Sequence, residues 1–194
     1  MSEPFDADED ATPLKPEERN WLIPTHITLR SELNELEQQN IGAADRWAFA
    51  RRRTVLDEGF LRGLHRRMFY QVWRWAGKYR KTERNLGIAS HQIETELHQI
   101  IQDVRYWIDH KSYPPDELAV RFHHRLVGVH PFPNGNGRWS RLAADLLIVQ
   151  LGGTRFTWGR ANLQVAGDVR RAYIDALHAA DDHDLGPLVA FARS

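Results

Sequence analysis

The sequence predicts an all-α protein, a mainly helical bundle with one short β-hairpin flap. Apolar residues recur three or four positions apart through most of the chain, and glycines and prolines punctuate these runs at helix-length intervals. Strand-like alternation appears in one segment only, "KYRKTERNLGIASHQI".

Taken in order, residues 1–16 open with the acidic "MSEPFDADED" and offer little to bury, so they read as a flexible tail. Residues 17–194 then form a single domain. "THITLRSELNELEQQN" predicts a helix over about 28–40, with Thr28 as N-cap and Leu29, Leu33 and Leu36 as its apolar stripe. Asn40 and Gly42 interrupt it, and a second helix follows over Ala43–Arg53. A third starts near Thr54, carries Leu56, Phe60, Leu64, Met68 and Val72, and is finished by Gly77.

Lys78–Ile93 is the hairpin, turning at Asn-Leu-Gly. Leu97, Ile100, Ile101, Val104 and Ile108 mark the next helix, which stops before "SYPPDE". Asp116 is placed to cap the helix of Leu118, Phe122 and Leu126, which runs to His130. Beyond a glycine-flanked turn, Trp139, Leu142, Ala143, Leu146 and Leu147 predict a long central helix that closes at Gly152-Gly153. "QVAGDVRRAYIDALHAADD" and "LGPLVAFAR" supply two more.

Composition excludes several classes of function. Lys+Arg and Asp+Glu both number 26, which argues against bulk nucleic acid or an anionic membrane as the dominant partner. "ARRR" at 50–53 fits a solvated helix face. There is no cysteine, hence no disulfide or thiolate metal site. The N-terminus has no apolar signal-peptide core, and the longest apolar stretch is interrupted by Asp145 and Gln150, so a cytoplasmic protein is expected. His123 and His124 lack the His-x-x-x-His spacing of a helical zinc site and read as packing residues, and the tryptophans read as core.

The chemistry concentrates in "VHPFPNGNGRWSRLAADLL", residues 129–147. A glycine-flanked turn before a helix lets successive N–H groups converge on an anion, and the helix adds its free N–H groups and dipole. Arg138 and Arg141, three apart, project from one side of the first helical turn, and guanidinium forks suit phosphate oxygens. A polyphosphate fits there. His130 at the rim is a candidate to take a proton from an attacking hydroxyl. Both the Rossmann and the P-loop patterns are missing.

"HPFPNGNGRWSR" resembles the signature of the Fic family (Fic/Doc fold), His-Pro-Phe-x-Asp/Glu-Gly-Asn-Gly-Arg-x-x-Arg. "WAGKYR", the hairpin after it and "YIDALHAADDHDLGPLVAF" are similar to that family too, so the likeness runs from about residue 20. The resemblance implies an adenylyltransferase that moves AMP from ATP to a Ser, Thr or Tyr hydroxyl of a target protein. It makes His130 the general base and Phe132 the anchor of the loop. Gly135, Asn136 and Gly137 become the phosphate cradle, with the Asn136 amide near the α-phosphate, and Arg138 and Arg141 the holders of the β- and γ-phosphates.

Mg²⁺ is the implied cofactor. The family's metal-binding Asp/Glu is Asn134 here, which implies weaker Mg²⁺ affinity and leaves room for a different transferred group. The hairpin would hold the target segment by backbone pairing. "TLRSELN" resembles the family's inhibitory motif, which implies that Glu32 pairs with Arg141 in place of the γ-phosphate.

Within the family the likeness is greatest to the small bacterial proteins called mobile mystery protein B, whose naming implies a helix-turn-helix partner. A nucleotide-binding regulatory module with little turnover is the alternative to an enzyme. Tyr173 and Asn162 are further residues that could approach the nucleotide, and the sequence does not place them.

Overall fold

The computed structural model describes residues 20–83, 86–160 and 167–194. The expected acidic tail, the tip of the expected hairpin at Arg84–Asn85 and Asn162 lie outside the described residues. Helices are numbered in chain order: α1 Arg30–Phe49, α2 Glu58–Phe69, α3 Ile93–Asp109, α4 Pro115–Val129, α5 Asn136–Gln150, α6 Asp168–Asp181 and α7 Gly186–Arg193.

The central pair is α4 and α5, joined by the glycine turn. One face of α5, with Trp139, Leu142, Ala143, Leu146 and Leu147, packs into a large core with α1, α2 and α3. Its other face, Ala144 and Ile148, joins Ala119 and Val120 of α4 in a second core with Phe156, Trp158, Tyr173 and Leu188. A helix buried on both sides holds its N-terminus in a fixed position, and that N-terminus is where the conspicuous motif sits.

Three details differ from the sequence reading. First, α1 runs unbroken through Asn40 and Gly42, because Leu33, Glu37, Asn40, Ala44 and Ala48 form one buried face that outweighs the propensity cost of an interior glycine. Its N-cap is Leu29 rather than Thr28: the Glu32 carboxylate accepts from the backbone N–H groups of Thr28 (3.1 Å) and Leu29 (3.3 Å). Second, α2 begins at Glu58 because Asp57 caps it, accepting from Phe60 N at 2.7 Å. Third, α4 starts at Pro115, whose fixed φ suits the first helical position. Asp116 is taken by Arg193 (2.7 Å to Nε) and does not cap.

Lys78–Ile93 forms no strand ladder among the described residues. Arg80 explains why. Its buried guanidinium donates to the carbonyls of His130 (2.7 Å), Thr82 (3.1 Å) and Ile88, which draws both limbs of the segment onto the loop that follows α4 instead of onto each other. The backbone N–H groups of Arg80 and Ile88 likewise go to Pro131 O (2.9 Å) and Val129 O (3.4 Å). Extended pairing occurs elsewhere: Leu22 bridges Trp73, with Ile23 N on Val72 O and Arg74 N on Trp21 O, both 2.9 Å. No helix among the described residues is long and apolar enough to cross a membrane.

Candidate active site

His130 ends α4 in the left-handed conformation (φ 50°, ψ 57°), which turns the chain sharply into Pro131 and Phe132. The loop is held from three sides. Phe132 is fully buried, stacked on the His65 ring (centroids 3.6 Å apart, planes at 9°) and edge-on to Trp139. Asn136 brackets it: its Oδ1 accepts from Phe132 N and its Nδ2 donates to Phe132 O, each at 2.9 Å. The Asn136 amide, expected near a phosphate, therefore braces the loop. The chain Lys78–Ile93 crosses His130 at Gly87 (φ 96°), where a Cβ would stand 2.6 Å from the His130 Cβ.

Gly135 is the N-cap of α5 at φ 79°, and a Cβ there would meet the Phe69 ring at 2.5 Å. No side chain caps this helix, so its first N–H groups are left to face an anion. Gly137 opens the space in front of them, with the Arg141 guanidinium and the Tyr173 hydroxyl just beyond.

These residues line one cavity of about 370 Å³. His130, Asn134, Gly135, Asn136, Gly137, Arg138 and Arg141 all reach it, so the structure brings these seven sequence-predicted residues together. Two arginines that the sequence reading missed, Arg30 of α1 and Arg170 of α6, also line it. Four guanidinium groups in one small cavity make a site for a multiply charged anion.

Glu32 does not reach it. Its carboxylate is exposed and held at the start of α1, where the Thr28 and Leu29 N–H groups keep its pKa below the usual carboxylate range. No ion pair joins it to Arg141 among the described residues. The carboxylate that enters the cavity is Glu37, one and a half turns on: Oε2 lies 2.6 Å from Arg138 Nη1 and Oε1 accepts from Trp73 Nε1. Glu37 is buried because it shares the α1 face of Leu33 and Ala44. A charge on an apolar stripe was the available signal.

Arg141 lies against the Tyr173 ring, 5.3 Å from its centroid. The Tyr173 hydroxyl is hydrogen-bonded to Nε2 of the buried His123 at 3.0 Å. Burial pushes the phenol's pKa up, with Arg141 acting against it, and pushes the His123 imidazole well below its ordinary range. The network is thus neutral apart from the arginine it steadies. His124 instead contacts Asp181 at 2.7 Å.

His65, also missed, ties the site to its surroundings. Gly77 N donates to Nδ1 at 3.0 Å, so the proton is on Nε2, which donates to the Asn134 carbonyl at 3.0 Å. Burial brings its pKa down to about 3, Asn134 partly opposing and Arg138 assisting.

A resident Mg²⁺ does not fit the donor set. Asn134 supplies no charge, and its Oδ1 already accepts from Gly135 N at 2.7 Å. No cluster of acidic, histidine or cysteine ligands occurs among the described residues.

Comparison with known proteins converges on one family. Residues 55–148 match the Fic/DOC family. The chain is 31% identical over 119 residues to the protein adenylyltransferase fic-1 of Caenorhabditis elegans, covering 60% of this chain and 22% of that protein. It thus spans about a fifth of the length of the curated relatives it matches. In three dimensions it resembles the N-terminal Fic domain of a VirB-translocated Bep effector protein from Bartonella quintana (TM-score 0.70, 18% identity, 97% of this chain and 89% of that one). It also resembles the BepC protein of Bartonella tribocorum with bound AMPPNP (TM-score 0.66, 20% identity, 92% and 97%).

Proposed function

The chain belongs to the Fic/DOC family, and we propose that it is a protein adenylyltransferase, transferring AMP from ATP to a hydroxyl of a target protein. The observation that carries this is the single cavity in which His130, the uncapped N-terminus of α5, Arg138 and Arg141 converge. Relatives named protein adenylyltransferase and the AMPPNP-bound BepC support ATP as the donor.

In this reading Arg138 and Arg141, with Arg30 and Arg170 at the walls, hold the triphosphate. His130 takes the proton from the acceptor hydroxyl as its oxygen bonds to the α-phosphorus. The bond from that phosphorus to the bridging oxygen breaks, and pyrophosphate leaves. No protein-held metal is required to orient these groups, and Mg²⁺ enters with the nucleotide as part of the substrate. Lys78–Ile93 is the flap that guides the target segment toward His130.

The chain also carries a brake, and its carboxylate is Glu37. An ATP phosphate that needs Arg138 must displace a charge-assisted pair that also anchors Trp73. Residues 17–194 act as one Fic domain that includes this α1 helix. The function test uses Glu37→Gln protein incubated with target-containing lysate and ATP labelled at the α- or the γ-phosphorus. Label retained on protein from the α position alone supports adenylyl transfer; label from γ, or from neither, refutes it.

A further inference from the structure

Of the cavities outside the anion site, two adjoin each other and are each of about 640 Å³. They share Trp73 and Lys78, and the first opens at Pro133 and Asn134, directly on the catalytic turn. Six cations line these adjoining cavities: Arg62, Arg66 and Arg74 in one part, Arg80 and Lys81 in the other and Lys78 in both. No carboxylate lines either part.

Arg80 reaches Glu83 at 3.8 Å; none of the other five forms an ion pair with a carboxylate among the described residues. Arg62 and Arg74 donate to the carbonyls of Gly77 and Leu22, which leaves their charge uncompensated. Of the nearby acids, Glu58 accepts from Tyr79, Glu83 accepts from Ser90 while reaching Arg80, and Glu94 lines a neighbouring cavity. In a chain of zero formal net charge, this is a segregated field and not general basicity. Mutual repulsion of these cations is relieved by a ligand that brings negative charge.

Trp21, half exposed, stands at the mouth of the groove. Trp73 and Trp75 are buried and stacked on each other at 5.1 Å, so only one indole face is open to a visitor. Single-stranded nucleic acid needs a succession of open aromatic faces, which the groove lacks.

We propose that this groove docks an acidic, extended segment of the acceptor protein, selecting targets whose modified hydroxyl lies beside aspartates or glutamates. The inference rests on the transferase reading, which makes the acceptor a polypeptide, and it adds the sequence class of that acceptor. Carboxylates pair with Lys78, Lys81 and Arg66 while one apolar side chain covers Trp21, and the chain is led along the groove to Asn134 and His130.

The test is fluorescence anisotropy with the full chain and fluorescein-labelled octaglutamate, against octalysine and an oligothymidylate of equal charge. Octaglutamate is expected to bind, and Lys78→Glu/Lys81→Glu is expected to weaken it by about tenfold or more. The same double variant should bind ATP as wild type does, since neither lysine reaches the anion cavity. Octaglutamate affinity unchanged by the double variant overturns the proposal, as does tighter binding of the oligothymidylate. No turnover enters this readout, so its failure is separate from a failure of adenylyl transfer, which the labelled-ATP experiment detects.

Discussion

Replacing His65 by glutamine removes both a brace and a titrating group, and pH separates the two effects. The fold keeps this imidazole neutral down to about pH 3, whereas in the unfolded chain it takes up a proton below its ordinary 6.5. Acid therefore favours the unfolded state. The stability is intact above pH 6.5 and is lost progressively as pH falls toward 3.

Between pH 7.5 and 5.0 this one ring accounts for a loss of about 2 kcal/mol. Glutamine keeps a donor for the Asn134 carbonyl but leaves the buried Gly77 N–H without its acceptor, at about 1–3 kcal/mol. The variant should thus be less stable than wild type by about 1–3 kcal/mol at pH 7.5, with the gap narrowed or reversed by about 2 kcal/mol at pH 5.0. His123 titrates in both proteins and cancels. Urea unfolding followed by tryptophan fluorescence at the two pH values measures the gap, and an equal gap at both refutes the buried-neutral assignment.

The remaining expectations concern the turn and its arginines. Gly135→Ala forces a Cβ into the Phe69 ring at a φ that alanine disfavours, and should cost about 2–4 kcal/mol, read as a lowered melting temperature. Tyr173→Phe removes the hydroxyl that links His123 to the Arg141 region; nucleotide Kd by calorimetry should rise about 2–12-fold with circular dichroism unchanged. Asn134→Asp adds the missing charge and should lower, several-fold, the Mg²⁺ concentration for half-maximal transfer; an identical Mg²⁺ titration would contradict this.

Much of this architecture is legible in the sequence, because the periodicity of α3, α4 and α5 is strong and the motif between α4 and α5 is local. His130 through Arg141 meet in one cavity because they are neighbours in the chain, on a turn and a helix start that sequence can describe. What escaped has a common cause. Glu37, Trp73, Arg30, His65 and Arg170 arrive from α1, α2, α6 and the segment after α2, so their roles depend on packing between distant elements.

Glu32 and Glu37 illustrate the difficulty. Both are carboxylates on one helix, and which enters the site depends on the rotation of α1 against α5. That rotation is set by burial of Leu33, Ala44 and Ala48, and by a helix start at Arg30 that turns Glu32 into a cap. The described parts of Lys78–Ile93 form no strand ladder for a parallel reason: Arg80 gathers carbonyls from both limbs onto the loop that follows α4, a long-range effect of one buried cation.

The central claim is that the cavity at the start of α5 transfers AMP with His130 as base and Glu37 as brake. Intact mass spectrometry of wild type, Glu37→Gln and Glu37→Gln/His130→Ala, each incubated with ATP and Mg²⁺, tests it most directly. One added AMP on Glu37→Gln, with far less on wild type and none on the double variant, is the predicted result. Equal modification of wild type and Glu37→Gln would contradict the brake, and modification surviving in the double variant would contradict His130 as the base.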